Sequence, residues 1–338
     1  MIVDCAHYRD GRRQHEGPME LDDAASVCQA SDGDGFVWMG LFDPEPEELA
    51  QVQARFGLHD LAVEDAQAFH LRPKFEQYEE HGIFFAVLRT AMYVDEREEV
   101  DFGEVSVFLA RRFIITVRQG PASDLHGARE RLERRPELLM EGPAAALWAI
   151  LDKIVDDYAP VVEGLERDVE EVEATVFGGS VAATERIYKL RREVTDFYRT
   201  VHPLLAPVEV LERGSYLPLS EKLIPFFRDV NDHLKLVNEE VAGQRDLLAV
   251  VLQANMAVIS LDQNEISVRQ NETMKQLTVI ATTFLPLTFI TGFFGMNFGW
   301  MTEHITPLWV FLVFGIGSLV LSGIGLYVWF RRTGMIGS

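Results

Sequence analysis

Hydrophobic positions fall into three regimes along this chain. In the first 120 residues the apolar runs are short and are separated by turn-forming clusters. The runs 36–42 (FVWMGLF), 83–93 (IFFAVLRTAMY), 105–110 and 113–117 are rich in β-branched and aromatic residues and predict strands. Residues 46–56 and 58–68 have helical spacing, and the second stretch ends before Arg72-Pro73. The pattern predicts an α+β layer, a mixed and mostly antiparallel sheet with helices. From Pro143 the spacing becomes helical almost throughout, with long charged helices at 143–176 and 182–212 separated by Gly178-Gly179. From 225 to 294 only Gly243 and Pro286 interrupt the pattern. One helix of about 70 residues would run roughly 105 Å, too long for one globular domain.

The third regime is uncharged. No Lys or Arg occurs between 276 and 330, and Glu303 is the sole acid there. The segments 277–294 and 308–330 would rise about 27 and 34 Å as helices, against a hydrocarbon core of about 30 Å. Trp309, Tyr327 and Trp329 sit at span ends, where an aromatic belt belongs, and a membrane helix tolerates Pro286. Lys275 precedes the first span and Arg331-Arg332 follow the second, whereas the connecting loop has no basic residue. The positive-inside rule therefore predicts a two-span protein of the plasma (inner) membrane with both termini cytoplasmic. The predicted division is a cytosolic α/β domain (1–142), a helical hairpin (143–224), a stalk helix (225–276), a first transmembrane helix (277–294), an external loop (295–307), a second transmembrane helix (308–330) and a basic tail (331–338).

Charge narrows the function. The chain carries 31 basic and 53 acidic residues, net −22. Residues 1–275 hold 52 acids against 29 bases, so the cytosolic part alone is near −23. Such a field attracts cations and repels nucleic acid, so no nucleic-acid partner is expected. The N-terminus turns charged by Arg9 and predicts no cleaved signal. Two cysteines cannot build a disulfide framework. No GxxxxGK[ST] loop, GxGxxG after a strand or HExxH occurs, so the expectation is not an enzyme and not an ATP-driven pump. The acidic run 163–173 reads most simply as a solvated helix face.

Asn271, Met274, Leu277, Ala281, Leu285, Thr288, Gly292 and Gly295 follow one another at steps of three or four and share one helix stripe. It is small and mildly polar toward the outer end, and more apolar toward the cytosol. Phe284, Phe289, Ile290 and Phe293 occupy other faces. The stripe suits close packing between two helices, or the wall of a pore. One stripe cannot enclose water, so the pore reading requires a symmetric ring of copies. The repeat of Gln263-Asn264-Glu265 as Gln270-Asn271-Glu272 adds one heptad to the stalk.

At the outer end of the first span stands Gly295-Met296-Asn297. The sequence PLTFITGFFGMNF, followed closely by one more span and a basic C-terminus, resembles the CorA family of magnesium transporters, whose signature is GMN. The likeness extends to Arg72-Pro73-Lys74, to Val155-Asp156-Asp157-Tyr158, and to Phe227-Arg228-Asp229-Val230 with Asp232-His233. Leu285 stands where Met is common in such relatives. The resemblance implies a homopentameric funnel in the lipid bilayer, in which each subunit contributes a cytosolic α+β domain, a long stalk helix that becomes the pore-lining span, and a second transmembrane helix. It further implies passive transport of divalent cations, Mg²⁺ and also Co²⁺ or Ni²⁺. Gly295, Met296 and Asn297 would form a selectivity collar, and Glu303 in the outer loop would concentrate cations. Residue matching to the family implies regulatory Mg²⁺ shared between subunits, by Asp65 with Asp229 and by Glu64 with Asp152. Two other readings stand beside this one. The zinc-transporting branch of the same superfamily has the same architecture, and a membrane-anchored coiled-coil scaffold would need the spans but not the collar.

Overall fold

A computed structural model describes the chain except residues 31–34, 71, 80–81, 122–124, 180–182, 218, 305–306 and 336–338. It divides into two units, Met1–Asn255 and Met256–Ser338. The first unit begins with β1 (Ile2–Arg9), β2 (Arg12–Arg13), α1 (Leu21–Gln29), β3 (Phe36–Phe42), α2 (Pro46–Phe56) and α3 (Asp60–Gln67). There follow β4 (Lys74–Tyr78), β5 (Ile83–Val94), β6 (Glu99–Ala110) and β7 (Phe113–Gln119). Helices complete it: α4 (His126–Glu133), α5 (Pro136–Leu139), α6 (Pro143–Phe177), α7 (Thr184–Val201), a 3₁₀ turn (His202–Leu204), α8 (Leu205–Glu212) and the first part of α9 (Ile224–Phe294).

The seven strands form one sheet in the order β2-β1-β3-β7-β6-β5-β4. Among the described residues only the β3–β7 pair is parallel. Successive side chains of a strand point to opposite faces. In β5 both sets are buried, because both faces of the sheet are covered. Phe84, Ala86 and Leu88 enter the core built by α6, α7 and α9, whereas Ile83, Phe85 and Val87 enter a second core that includes Ala25, Leu49, Val52 and Ala62 of α1–α3. α9 joins the larger core through Phe227, Val230, Leu234, Val237, Val241, Leu248 and Val251, spaced by helical turns. Gln244 lies on the same stripe and donates from Nε2 to the Val162 carbonyl at 3.0 Å.

The expected α+β class with a mostly antiparallel sheet, a long helix and two apolar helices at the C-terminal end is the fold observed. The local reading was incomplete. β1 and α1 mix apolar and charged residues too irregularly to stand out, β2 is only Arg12-Arg13, and β6 starts six residues before the expected strand, in the polar stretch EVDFGE. The helix expected over 182–212 is broken after Val201, where Pro203 offers no N–H to the ladder. In the acidic run, Glu163, Glu166, Glu170 and Glu171 are exposed as expected, but Asp168 is 7% exposed and accepts a hydrogen bond from the Tyr93 hydroxyl.

In the second unit, α9 ends at Phe294 and is followed by α10 (Gly299–His304) and α11 (Leu308–Val310). α11 passes through a π-helical turn (Phe311–Ile316) into α12 (Gly317–Arg332). π turns inside α-helices widen the ladder by one residue. Here the widened turn seats the Phe311 ring against Gly315, whose added Cβ would lie 3.3 Å from that ring. Lys275 Nζ donates to the Gly334 carbonyl at 2.8 Å. The start of the apolar part of α9 therefore lies beside the end of α12, and Lys275, Arg331 and Arg332 gather at one end of an antiparallel pair.

Gly164 gives a sharp test of this packing. Its missing Cβ would lie 2.4–2.6 Å from the Tyr93 ring, which Asp168 holds in place. Gly→Ala inside an exposed helix stabilises by up to about 1 kcal/mol. At Gly164 the sign should reverse, with Gly164→Ala costing about 1–3 kcal/mol through overpacking. Thermal unfolding measures this, and an unchanged or higher midpoint would contradict the packing.

Candidate ion path and carboxylate sites

α3 presents two of the candidate carboxylates. His59 Nδ1 accepts from the Leu61 backbone N–H at 3.2 Å and caps the helix. Ala62, Val63 and Ala66 anchor it to the core, which leaves Glu64 exposed and Asp65 half-buried. Both Asp65 oxygens already have partners. Oδ2 accepts from Lys74 Nζ at 2.5 Å, and Oδ1 lies 3.4 Å from His70 Nε2. Lys74 is also 3.0 Å from Glu76, two residues along β4 and so on the same strand face. Tyr78 donates from its hydroxyl to Glu76 at 2.6 Å. On the other side, His70 Nδ1 lies 3.2 Å from Glu104, which also accepts from the His70 backbone N–H at 2.7 Å. Glu104 is 1% exposed, and burial pushes its carboxyl above the usual range against the pull of His70 and Arg89. Arg89 donates to the His70 carbonyl at 3.0 Å and packs over Phe69 and Phe102. This buried cluster ties the segment after α3 to the sheet.

The other two carboxylates meet in a groove of about 420 Å³ whose walls include Arg131, Arg135, Trp148, Asp152, Phe226 and Asp229. Asp152 and Asp156 lie one turn apart on α6, and Asp229 and His233 one turn apart on α9. Arg131 bridges Asp152 at 3.8 Å and Asp156 at 3.4 Å. Burial pushes the Asp152 carboxyl up, Asp156 and Asp229 push it further, and Arg131 and His233 only partly oppose them. Arg131, Arg134 and Arg135 line the same groove, so its carboxylates sit among cations, and burial is the main cause of the raised Asp152 carboxyl. Among the described residues no group of three or more His, Cys, Asp or Glu is arranged to hold a metal ion. The structure thus brings Asp152 and Asp229 together within one chain. Neither Glu64 nor Asp65 lines that groove.

The stripe on α9 is bare along its whole length. Asn271, Met274, Leu277, Ala281, Leu285, Thr288 and Gly292 are all exposed in the single chain, Leu285 by 73%. Val279, Thr282, Thr283, Pro286, Leu287, Ile290 and Phe294 are instead half-covered. Of the aromatic positions on other faces, Phe284, Phe289 and Phe293 are exposed. The α9 ladder stops at Gly295, whose N–H donates to Thr291 and Gly292 carbonyls at 3.0 and 3.2 Å. Met296 and Asn297 follow outside the helix and are exposed. Glu303 is exposed on α10, where His304 stacks on Trp300 at 4.8 Å.

Residues 33–332 match the family model described as CorA-like Mg²⁺ transporter protein. The chain belongs to this family. CorA-like proteins move divalent cations, Mg²⁺ and Co²⁺ among them, across membranes. The relevant activity is transport rather than catalysis, and the two apolar helices make this a membrane protein. The chain is 29% identical over 284 residues to the cobalt/magnesium transport protein CorA of Thermotoga maritima, covering 83% of this chain and 78% of that one. Its fold is that of two solved structures at 20% identity. The CorA magnesium transporter of Methanocaldococcus jannaschii matches with a TM-score of 0.62 over 99% of this chain and 100% of that one. The full-length CmaX protein matches with a TM-score of 0.67 over 99% and 97%.

His70, Glu104 and Arg131 escaped the sequence reading of this CorA-like chain, and Lys74 entered it only within Arg72-Pro73-Lys74, with no role. The i, i+2 pair of Lys74 and Glu76 was the available signal, and it becomes informative only once 74–78 is known to be a strand.

A carboxyl raised in the folded state stabilises the fold in its protonated form. That contribution is present below the unfolded value and is lost as pH rises through the folded one. At neutral pH Asp152 therefore opposes folding. In divalent-free buffer Asp152→Asn should raise the thermal midpoint, because it removes a carboxylate that burial and its neighbours disfavour. Tryptophan fluorescence during heating reads this, and a lowered midpoint would mean that the Arg131 pair outweighs the repulsion.

Proposed function

We propose that this protein is a passive, membrane-potential-driven Mg²⁺ channel that also passes Co²⁺ and Ni²⁺. In this reading five copies surround an axis in the cell membrane with both termini cytoplasmic, and cytosolic Mg²⁺ bound between subunits gates the path. The observation that carries it is the bare α9 stripe running to Gly295-Met296-Asn297. A small-residue and mildly polar face left uncovered by the chain's own helices suits the wall of a path made by several copies.

Mg²⁺ sheds water reluctantly, so a path for it favours groups that bind its hydration shell. The Asn297 amide and the Gly295 carbonyl, repeated around a ring, would offer neutral acceptors to those waters. Carboxylates there would hold the ion too tightly to release it, and the described spans contain none. Thr288 and Asn271 would add polar rings. Met274, Leu277 and Leu285 would form constrictions that close by dewetting. Glu303 would raise the local cation concentration at the mouth. A divalent ion moving through 100 mV gains about 4.6 kcal/mol, so no ATP site is required.

The carboxylates suit the gate. Asp152 and Asp229 share one groove, where each adds to the repulsion between carboxylates. Asp65 and Glu64, from a neighbouring copy, would complete water-mediated sites for Mg²⁺, which would supply charge neutralisation there. With the sites empty, like charges repel and the ring loosens.

Uptake of Mg²⁺, Co²⁺ and Zn²⁺ into proteoliposomes tests the reading. Mg²⁺ should enter and compete with Co²⁺. Preference for Zn²⁺ would favour the zinc branch, and no flux would favour a scaffold. Asn297→Ala should abolish or severely reduce Mg²⁺ entry while the protein still assembles. Uptake like that of the unmodified protein, at equal abundance, would sink the collar.

Asp229→Lys places a fixed cation where Mg²⁺ would bind. Its attraction to Asp65 would be about 1 kcal/mol in water, or about 4 kcal/mol at an effective dielectric of 20. That variant should resist chymotrypsin without Mg²⁺, whereas Asp229→Ala should lose Mg²⁺ protection. An unshifted Mg²⁺ midpoint in both variants would remove Asp229 from the sensor.

A further inference from the structure

The candidate carboxylates differ in how the chain compensates them. Asp152 has only a long contact with Arg131, at 3.8 Å, in a groove also lined by Arg134 and Arg135. Asp65 is paired more closely, because Lys74 Nζ sits 2.5 Å from one of its oxygens and His70 Nε2 sits 3.4 Å from the other. An ion or its water shell that approaches Asp65 meets a carboxylate whose two oxygens are each already bonded to one of these partners, so the Lys74 charge opposes it. We propose that Lys74 is a tethered cation that competes with Mg²⁺ for Asp65, and that Glu76 is its alternative seat. The proposal rests on the reading of Asp65 as part of a Mg²⁺ site, and it adds what sets the occupancy of that site.

The geometry supports an exchange. Lys74 lies between two carboxylates, 2.5 Å from Asp65 and 3.0 Å from Glu76. Its side chain is 32% exposed, so it has room to move and water to reach it. Four methylenes let the ammonium shift from one partner to the other while its backbone stays in β4. While it is paired with both carboxylates, the hydrogen bonds to Asp65 and Glu76 outweigh burial and hold the Lys74 ammonium above the usual lysine range. When Asp65 turns to an ion, Lys74 remains paired with Glu76, and no buried charge is left alone. When the ion leaves, Lys74 returns, and the repulsion otherwise felt by Asp65 is reduced. The sensor would therefore respond at a higher Mg²⁺ concentration than Asp65 unaided.

Chymotrypsin protection of the full-length protein in detergent, against stepped MgCl₂, reads the midpoint without creating or removing a cleavage site. Lys74→Gln removes the competitor and should lower the Mg²⁺ midpoint about three- to fivefold, the range of a partly exposed ion pair. Lys74→Arg keeps the charge and should stay near the unmodified midpoint. Glu76→Gln removes the alternative seat, binds Lys74 to Asp65 more firmly, and should raise the midpoint about twofold. Asp65→Asn separates the two levels. If it leaves the midpoint unchanged, Asp65 is not a ligand and both readings fall. If it shifts the midpoint while Lys74→Gln does not lower it, the Mg²⁺ site stands and the competing lysine is overturned. Because Glu76→Gln keeps Lys74 in place, its opposite shift decides the matter even if Lys74→Gln folds poorly.

Discussion

Peptide groups in hydrocarbon have no water to bond, so a spanning segment must satisfy its own backbone. α9 meets that constraint with a single helical ladder over Ile224–Phe294, the one element that belongs to both units of the chain. Its sequence changes character while its hydrogen bonding does not. Up to Asn255 the helix buries a stripe of apolar residues and amides. Beyond it, the apolar positions are exposed or half-covered. Pro286 interrupts the donors but not the helix. At Gly295 the ladder ends, and polar backbone becomes available where the Asn297 amide is exposed. The position of the GMN sequence thus follows from where the helix can afford to stop.

The second constraint is charge. A chain with net −22 holds its carboxylates only where cations, hydrogen bonds or solvent offset them. The structure uses all three. Glu163, Glu166, Glu170 and Glu171 face solvent, Asp168 is fixed by Tyr93 and Arg186, and Asp65 is paired to Lys74. In the groove of Asp152 and Asp229 burial and the neighbouring Asp156 and Asp229 push the Asp152 carboxyl up, with Arg131 opposing them. An acidic composition therefore does not mark a cation site by itself. Which carboxylates lie close together matters too, and in the groove that depends on side chains brought together from α4, α6 and α9.

Much of the architecture was legible in the sequence because it rests on long-period signals. The apolar spans, the 70-residue helical pattern and the alternation of strand residues each extend over many positions. What was missed rests on few. β4 is five residues of KFEQY, and nothing in that string distinguishes an edge strand from a loop. Without β4, the shared face of Lys74 and Glu76 is invisible, and so is the pairing with Asp65. The break after Val201 was signalled by Pro203 but was outweighed by the surrounding helical pattern. The π turn at Phe311–Ile316 has no sequence signature beyond Gly315 and Gly317. Of the candidate residues, the stripe on α9 was readable as a helical face, whereas the grouping of Asp152 with Asp229 required the tertiary fold.

In the proposed reading, conduction and sensing make opposite demands on the same ion. A collar must bind Mg²⁺ weakly enough to release it, which neutral dipoles around its water shell allow. A sensor must respond to concentration, which requires carboxylates whose repulsion costs the assembly something when no ion is present. Placing both in one site would compromise both. α9 can carry each demand at a different level, with Asp229 near its start and Gly295-Met296-Asn297 just past its end. The tethered Lys74 extends this logic, because a sensor built from many carboxylates would saturate at low Mg²⁺. An internal competitor at Asp65 weakens the site without removing charge from it. The threshold can then be adjusted by the balance between Asp65 and Glu76, leaving the path along α9 unchanged.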